Sequence, residues 1–351
     1  LPHSGTNPFG NVPLGKSERK HMAEQTQALP LAGVQSQIFT RKPTNLYQDA
    51  WNRLLKNRGA VAGMFVVGFF ALVAIFADQL APHNALEIFP NNSYRPPMWV
   101  QSDNPAQNGS ISFPLGTDTI GRDVLSRAIY GARTSLIVGF IPMLLIITIG
   151  TIIGMIAGFF GGWVDNLLMR FTDIIYAFPD LLFFIIMMTA LRETWIGKLM
   201  NGLFLLFVSL ALINWTGVAR LVRGQVLAVK EKEFVEAARM IGASGGRIML
   251  RHLLPNSLAP IIVTAAFRVP QAILTEAILG YIGVGVRPAT DPNDFFLTSW
   301  GNMLLDGRDA ILAQPWLLIT PAILIALILL AFTFIGDGLR DALDPMLKGK
   351  I

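Results

Sequence analysis

The chain has 351 residues, 52% hydrophobic and only 15% charged, with no cysteine and a formal net charge of +5. A soluble domain carries about 25% charged residues, so the composition argues against a water-soluble globule, and the absence of cysteine excludes a disulfide framework, a zinc-thiolate centre and a cysteine nucleophile. The basic residues lie between apolar blocks, where Lys and Arg hold loops on the cytoplasmic side; no basic-aromatic surface motif points to nucleic acid as a partner.

From the N-terminus, residues 10–17 read GNVPLGKS and match the phosphate-cradling pattern G-x-x-x-x-G-K-[ST]. That loop works between a buried strand and a helix. Here LPHSGTNPF precedes it without a strand pattern and a polar stretch follows, so the match is read as accidental. His21-Met22 has the form of a cloning junction, which makes 1–21 a tag or linker remnant and Met22 the expected native start. No apolar core precedes residue 59, so no signal peptide is predicted. Residues 22–58 form a cytoplasmic segment whose end, 46–59, is an amphipathic helix expected to lie on the inner membrane surface.

Six apolar stretches then reach the roughly 20 residues a spanning helix needs: about 59–77, 135–160, 174–191, 203–222, 258–286 and 315–335. Lipid offers no hydrogen bonds, so each is predicted to be helical. The fold class is all-α, a polytopic membrane protein of six transmembrane helices over 59–335, with 336–351 as a tail. With the N-terminus inside, 18 Lys and Arg fall on the inner side and 8 on the outer, which places both termini in the cytoplasm.

Within the spans, Gly150, Gly154 and Gly158 recur every four residues, a spacing that lets helices pack closely. Asn214 and Thr216 are candidates either for substrate contact or for hydrogen bonds between helices. Arg268 and Glu276 are costly inside a membrane and normally face a cavity or a partner. One reading has them line a translocation path with Asn214, since zwitterionic cargo needs both signs; the other is a salt bridge to neighbouring helices. Asp118, Arg122 and Asp123 read as a capped, partly buried interfacial helix rather than a metal or phosphate site. His3, His21, His83 and His252 do not cluster as metal ligands, and neither H-E-x-x-H nor G-x-S-x-G occurs, so no catalytic set or metal site is predicted.

Between the fourth and fifth spans, 223–257 is too polar to cross. It is expected to hold one helix over 223–241, with Phe234, Ala238 and Ile241 on its apolar face, ending at Gly242. A second helix over 245–254 is expected to end before Pro255. Such a hairpin suits docking in another protein's groove, or equally the lipid surface.

EAARMIG at 236–242, followed after nine residues by His252, Leu253, Leu254 and Pro255, resembles the EAA loop of bacterial ATP-binding-cassette (ABC) importer permeases. Glu236, Ala237, Ala238, Gly242, Leu254 and Pro255 match in register, while His252 stands where the general pattern has Ile. PLGTDTIGRDVLSRAIYGARTSLIVG (114–139), GGWVDNLLMRFTDIIYAFPDLL (161–182), SWGNMLLDGRD (299–309) and FIGDGLRDALDP (334–345) resemble the C-type subunit of dipeptide and oligopeptide permeases, with oligopeptide permease the nearest likeness. The resemblance implies the ABC type I importer permease fold in the bacterial inner membrane. It implies a non-catalytic subunit whose loop, with Phe234 and the matched residues, contacts ATPases. It also implies a homologous B-type permease, two cytoplasmic ABC ATPases that bind Mg-ATP, an extracytoplasmic peptide-binding protein and surrounding lipid; this chain itself needs no cofactor. Nickel, glutathione and antimicrobial-peptide importers share the architecture. An ion-coupled secondary transporter and a membrane enzyme are the rival classes, without the internal repeats or the catalytic set that each would show.

Overall fold

A computed structural model describes residues 46–101 and 108–344. The P-loop-like run at 10–17 and the His21-Met22 junction lie outside the described residues. The chain divides into two units, Leu1–Asp49 and Ala50–Ile351, and the packing below is that of the second. Among the described residues the regular elements are helices, and β pairing is limited to two isolated bridges, Ser110 to Phe113 and Thr117 to Asp123.

Ten helices carry the architecture: α1 Leu46–Lys56, α2 Arg58–Ile75, α3 Val124–Phe160, α4 Gly162–Tyr176, α5 Asp180–Ala190, α6 Leu203–Lys230, α7 Glu233–Met240, α8 Leu254–Tyr281, α9 Trp300–Ala310 and α10 Trp316–Leu343. Helices α2, α3, α6, α8 and α10 are each long and apolar enough to cross a membrane. Helices α4 and α5 form a pair bent by 76°, which counts as a sixth, broken span. Pro179 causes the break: it fixes its own backbone and disfavours helix at Phe178 before it. The stretch expected at 174–191 is therefore not one helix; α4 already begins at Gly162.

Three helix starts are fixed by a side-chain cap. Asn57 Oδ1 accepts the amide of Ala60 at 3.1 Å to open α2. Asp123 Oδ2 accepts the amide of Ser126 at 3.0 Å and its hydroxyl at 2.5 Å to open α3. Ser299 Oγ accepts the amide of Asn302 at 3.1 Å to open α9. Each cap is worth about 1 kcal/mol.

Helix α6 sits at the centre, with 56% of its most apolar window buried against 22% for α2. It packs on α3 through the glycine stripe: a Cβ at Gly150, Gly154 or Gly158 would fall within 2.8 Å of Val218, Ala219 or Val226 atoms. Absent side chains let the two backbones meet, and dispersion across that contact replaces the hydrophobic drive that lipid removes. Thr216 and Asn214 bond their own helix, at Ile213 O (3.0 Å) and Leu210 O (3.1 Å).

Candidate functional site

The end of the bundle where α6 and α8 meet carries a polar elbow, residues 231–253. Its expected first helix over 223–241 is two: α6 continues to Lys230, and α7 follows only at Glu233. The buried face of α7 is Val235 and Ala238, one turn apart, which pack with Ile248 and Leu253 against Val222, Val226 and Met155 of the bundle. Phe234 and Ile241, expected on that face, are exposed instead. The stripe is set one residue over because Val235 and Ala238 share the side that α6 covers.

A Schellman motif closes α7. The Gly242 amide donates to Arg239 O at 2.9 Å and the Ala243 amide to Ala238 O at 3.0 Å. Gly242 holds φ +80°, the left-handed conformation this cap requires.

Helix does not stop before Pro255. Residues Met249–Leu253 form a π turn that runs into α8, and the Leu254 amide bonds Met249 O. Pro255 falls in the first turn of α8, where a missing amide costs least, and Asn256 Nδ2 donates to His252 O at 2.6 Å. The elbow therefore hangs between two continuous span helices. Glu236, Ala237, Gly242 and Pro255 lie exposed on it, His252 is half-buried against Phe234, and Leu254 is half-buried. Met240 (88% exposed), Ile241 (86%) and Leu250 add an apolar surface.

The broken third span is tied to α6 by two ion pairs that sequence reading did not single out. Arg223 grips Asp165 bidentately, at 2.5 and 2.6 Å. Arg220, three residues earlier, bonds Asp173 at 2.7 Å and stacks over Tyr176. The i, i+3 arginines on α6 were the available signal.

A second polar group lies about midway along the spans. Asn214 of α6 and Arg268, Gln271 and Thr275 of α8 line one small cavity with Ile146, Leu210 and Ala272. Arg268 Nη1 donates to Gln271 Oε1 at 2.7 Å. Glu276, expected beside Arg268, is elsewhere. It is fully buried between α8 and α9, where its Oε1 accepts the Ser299 hydroxyl at 2.6 Å.

At the end opposite the elbow, Asp118 accepts from Arg122 Nε and Arg127 Nη1, both at 2.6 Å. Both arginines also reach Asp306 of α9, at 3.1 and 2.7 Å. Burial, followed by the nearby Arg127 charge, pushes the Arg122 guanidinium below its usual range. The Trp300 indole donates to Ala128 O at 2.9 Å, and its ring fills the space that Gly131 leaves open. These contacts fasten α9 onto α3 and the loop before it, a structural use of Asp118 and Arg122, while Asp123 caps α3.

Among the described residues, six spans of lipid length with the bent pair counted as one, polar side chains about midway along α6 and α8 and a polar elbow between two spans fit a membrane-embedded transport permease. Residues 150–349 match the family described as binding-protein-dependent transport system inner membrane component, and residues 45–97 match the N-terminal membrane domain of oligopeptide transport permease C. The dipeptide transport permease DppC of Alkalihalophilus pseudofirmus is 39% identical over 86% of this chain and 90% of that protein. The oligopeptide transport permease OppC of Haemophilus influenzae is 40% identical over 86% and 89%. The glutathione transport permease GsiD of Pectobacterium atrosepticum is 35% identical over 86% and 92%. The chain belongs to the binding-protein-dependent inner-membrane permease family, as an ABC importer permease subunit of the peptide and dipeptide branch. Membership implies a paired permease and ATPase partners.

Proposed function

We propose that this chain forms half of a path for dipeptides or oligopeptides, and that its elbow receives the motion of a cytoplasmic ATPase. The observation that carries the reading is the build of the elbow. Met240 and Ile241 stand exposed while Val235, Ala238, Ile248 and Leu253 are locked into the bundle. A partner that grips the exposed residues pulls on both α6 and α8, because the elbow is packed against the bundle and its far end runs into α8 through the π turn. The two-state element biased by that load is the bundle itself.

The distribution of Lys and Arg supports an orientation with the elbow and both termini in the cytoplasm. The chain is the mechanical, non-catalytic subunit; two partner ATPases bind Mg-ATP, a homologous B-type permease completes the path, and an extracytoplasmic binding protein delivers cargo. Asn214, Arg268, Gln271 and Thr275 line this half of the path, and Glu276 belongs to its supporting wall.

Single cysteines replacing Met240 and Ile241, crosslinked in the assembled complex, test the elbow. Capture of an ATPase subunit is expected at both positions. Capture of lipid alone, or labelling of these cysteines from the outside of intact cells, overturns the reading.

A further inference from the structure

Arg268 is a cation inside a span with no bonded counter-ion. Among the described residues no carboxylate lies within 4.0 Å of it; Asp180 acts on it from farther away. Three other arginines on the span helices each have an acid: Arg133 has Asp78, Arg220 has Asp173 and Arg223 has Asp165. Glu276, the one acid on α8, is enclosed with Ser299. A guanidinium left unpaired at this depth is expensive to keep, and such residues face a path or a ligand.

Its setting is built for a planar anion. Gly217 of α6 lies directly beneath it: a Cβ there would stand 2.9 Å from Arg268 Nη2. The neighbours Asn214, Gln271 and Thr275 are neutral donors and acceptors, suited to peptide groups of any sequence. The space they share is about 10 Å³ in this conformation, room for about one water.

We propose that Arg268 takes the C-terminal carboxylate of the cargo peptide as it crosses mid-membrane. The guanidinium fork matches a carboxylate bidentately, and the C-terminal carboxylate is the one anion every unmodified peptide carries. This inference rests on the path reading given above. It adds that this half of the path recognises a peptide by its charged end and not by its side chains.

The test uses the complete transporter in proteoliposomes, with one short alanine peptide supplied as free acid and as C-terminal amide. The same binding protein serves every variant, so its own preference cancels from the acid-to-amide ratio. Arg268→Gln is expected to slow uptake of the acid about tenfold or more, the effect of one charged hydrogen-bonded contact, with the amide changed less than about twofold; Arg268→Lys is expected to recover part of the loss. Gly217→Ala, which keeps the charge and displaces its tip, is expected to lower the ratio less than Arg268→Gln does. Equal losses for acid and amide at unchanged subunit co-purification overturn the proposal, as does an unchanged ratio in both Arg268→Gln and Gly217→Ala. The path reading is read separately from a Thr275→Cys variant: absence of cargo-sensitive labelling by a water-soluble thiol reagent sinks the path itself, whereas labelling with an unchanged ratio sinks only the carboxylate assignment.

Discussion

Glu276 and Gly301 fit together by omission: the Glu276 Oε1 lies 2.5 Å from where a Cβ on Gly301 would stand. The absent side chain lets α9 close over the carboxyl, which Ser299 then holds at 2.6 Å. A glutamate in a span suggested a path residue, yet its partner is the cap of a neighbouring helix. Gly301→Ala is expected to force the carboxyl or the helix aside and cost about 1–3 kcal/mol, as overpacking does, read as a lower melting temperature of the purified complex. Glu276→Gln keeps the shape and the acceptor for Ser299, so transport within about twofold of wild type is expected. A large transport loss in Glu276→Gln at full assembly would return this residue to the path.

The Asp165–Arg223 pair sets how firmly the broken span is held to α6. Asp165 is largely buried and its partner about one-third exposed, so the pair sits between a surface bridge and a fully buried one. Asp165→Asn is expected to destabilise the protein by about 1–3 kcal/mol, the range for a charged hydrogen bond left incomplete. The double variant Asp165→Asn, Arg223→Gln should lose less than the sum of the two single changes. Strict additivity in thermal denaturation would mean that the two groups do not act on each other.

That pair shows where sequence reading stops. Apolar runs located the spans because lipid thickness imposes length and helicity on any stretch that crosses. The elbow motif was visible because its residues are local, within one loop. The buried face of α7 was misjudged by one residue, since Phe234 and Val235 both fit a helical stripe and only the position of α6 decides between them. Pro255 read as a stop because proline removes an amide; it falls instead in the first turn of α8, where that loss is tolerated. Asp165 and Arg223 lie 58 residues apart, and Glu276 and Ser299 lie 23 apart. No periodicity links such positions, so these contacts become legible only when helices are placed side by side.

The Asp78–Arg133 contact ties the end of the first span to the start of the second and gives stability a pH dependence. Arg133 Nη2 donates to Asp78 Oδ2 at 2.9 Å, and that hydrogen bond, more than the accompanying charge attraction, holds the Asp78 carboxyl below the usual carboxylate range. A depressed carboxylate contributes stability that is complete above its unfolded value and is lost as pH falls through the folded one. The increment is therefore complete above about pH 5 and is lost progressively as pH falls below about 4, through the depressed folded value. Thermal stability measured from neutral pH downwards should fall more steeply in that window for wild type than for Asp78→Asn. Parallel curves would show that the carboxylate contributes nothing. Asp78 is mostly exposed, so the difference should shrink in high salt.

Gly242 makes the last prediction, because backbone geometry and force transmission meet at one residue. Its φ of +80° is about 1–2 kcal/mol unfavourable for a residue with a Cβ, and nothing packs within 4 Å of where that atom would go. Gly242→Ala therefore meets strain without a clash, and relief is available by opening the Schellman cap. Opening releases Ala243 from Ala238 and loosens α7 against its anchors Val235 and Ala238, which lie N-terminal to the cap. The spans do not depend on this turn, so membrane insertion and pairing with the second permease should be unchanged. Transport should fall severalfold while the partner ATPases keep hydrolysing, since a slack elbow absorbs motion that a stiff one passes on. Gly242→Asn, which tolerates the left-handed region better, should retain more transport than Gly242→Ala. If both variants transport at the wild-type rate, the stiffness of this turn is irrelevant to coupling. If transport and hydrolysis fall together in both, the residue acts through ATPase docking and not through the cap.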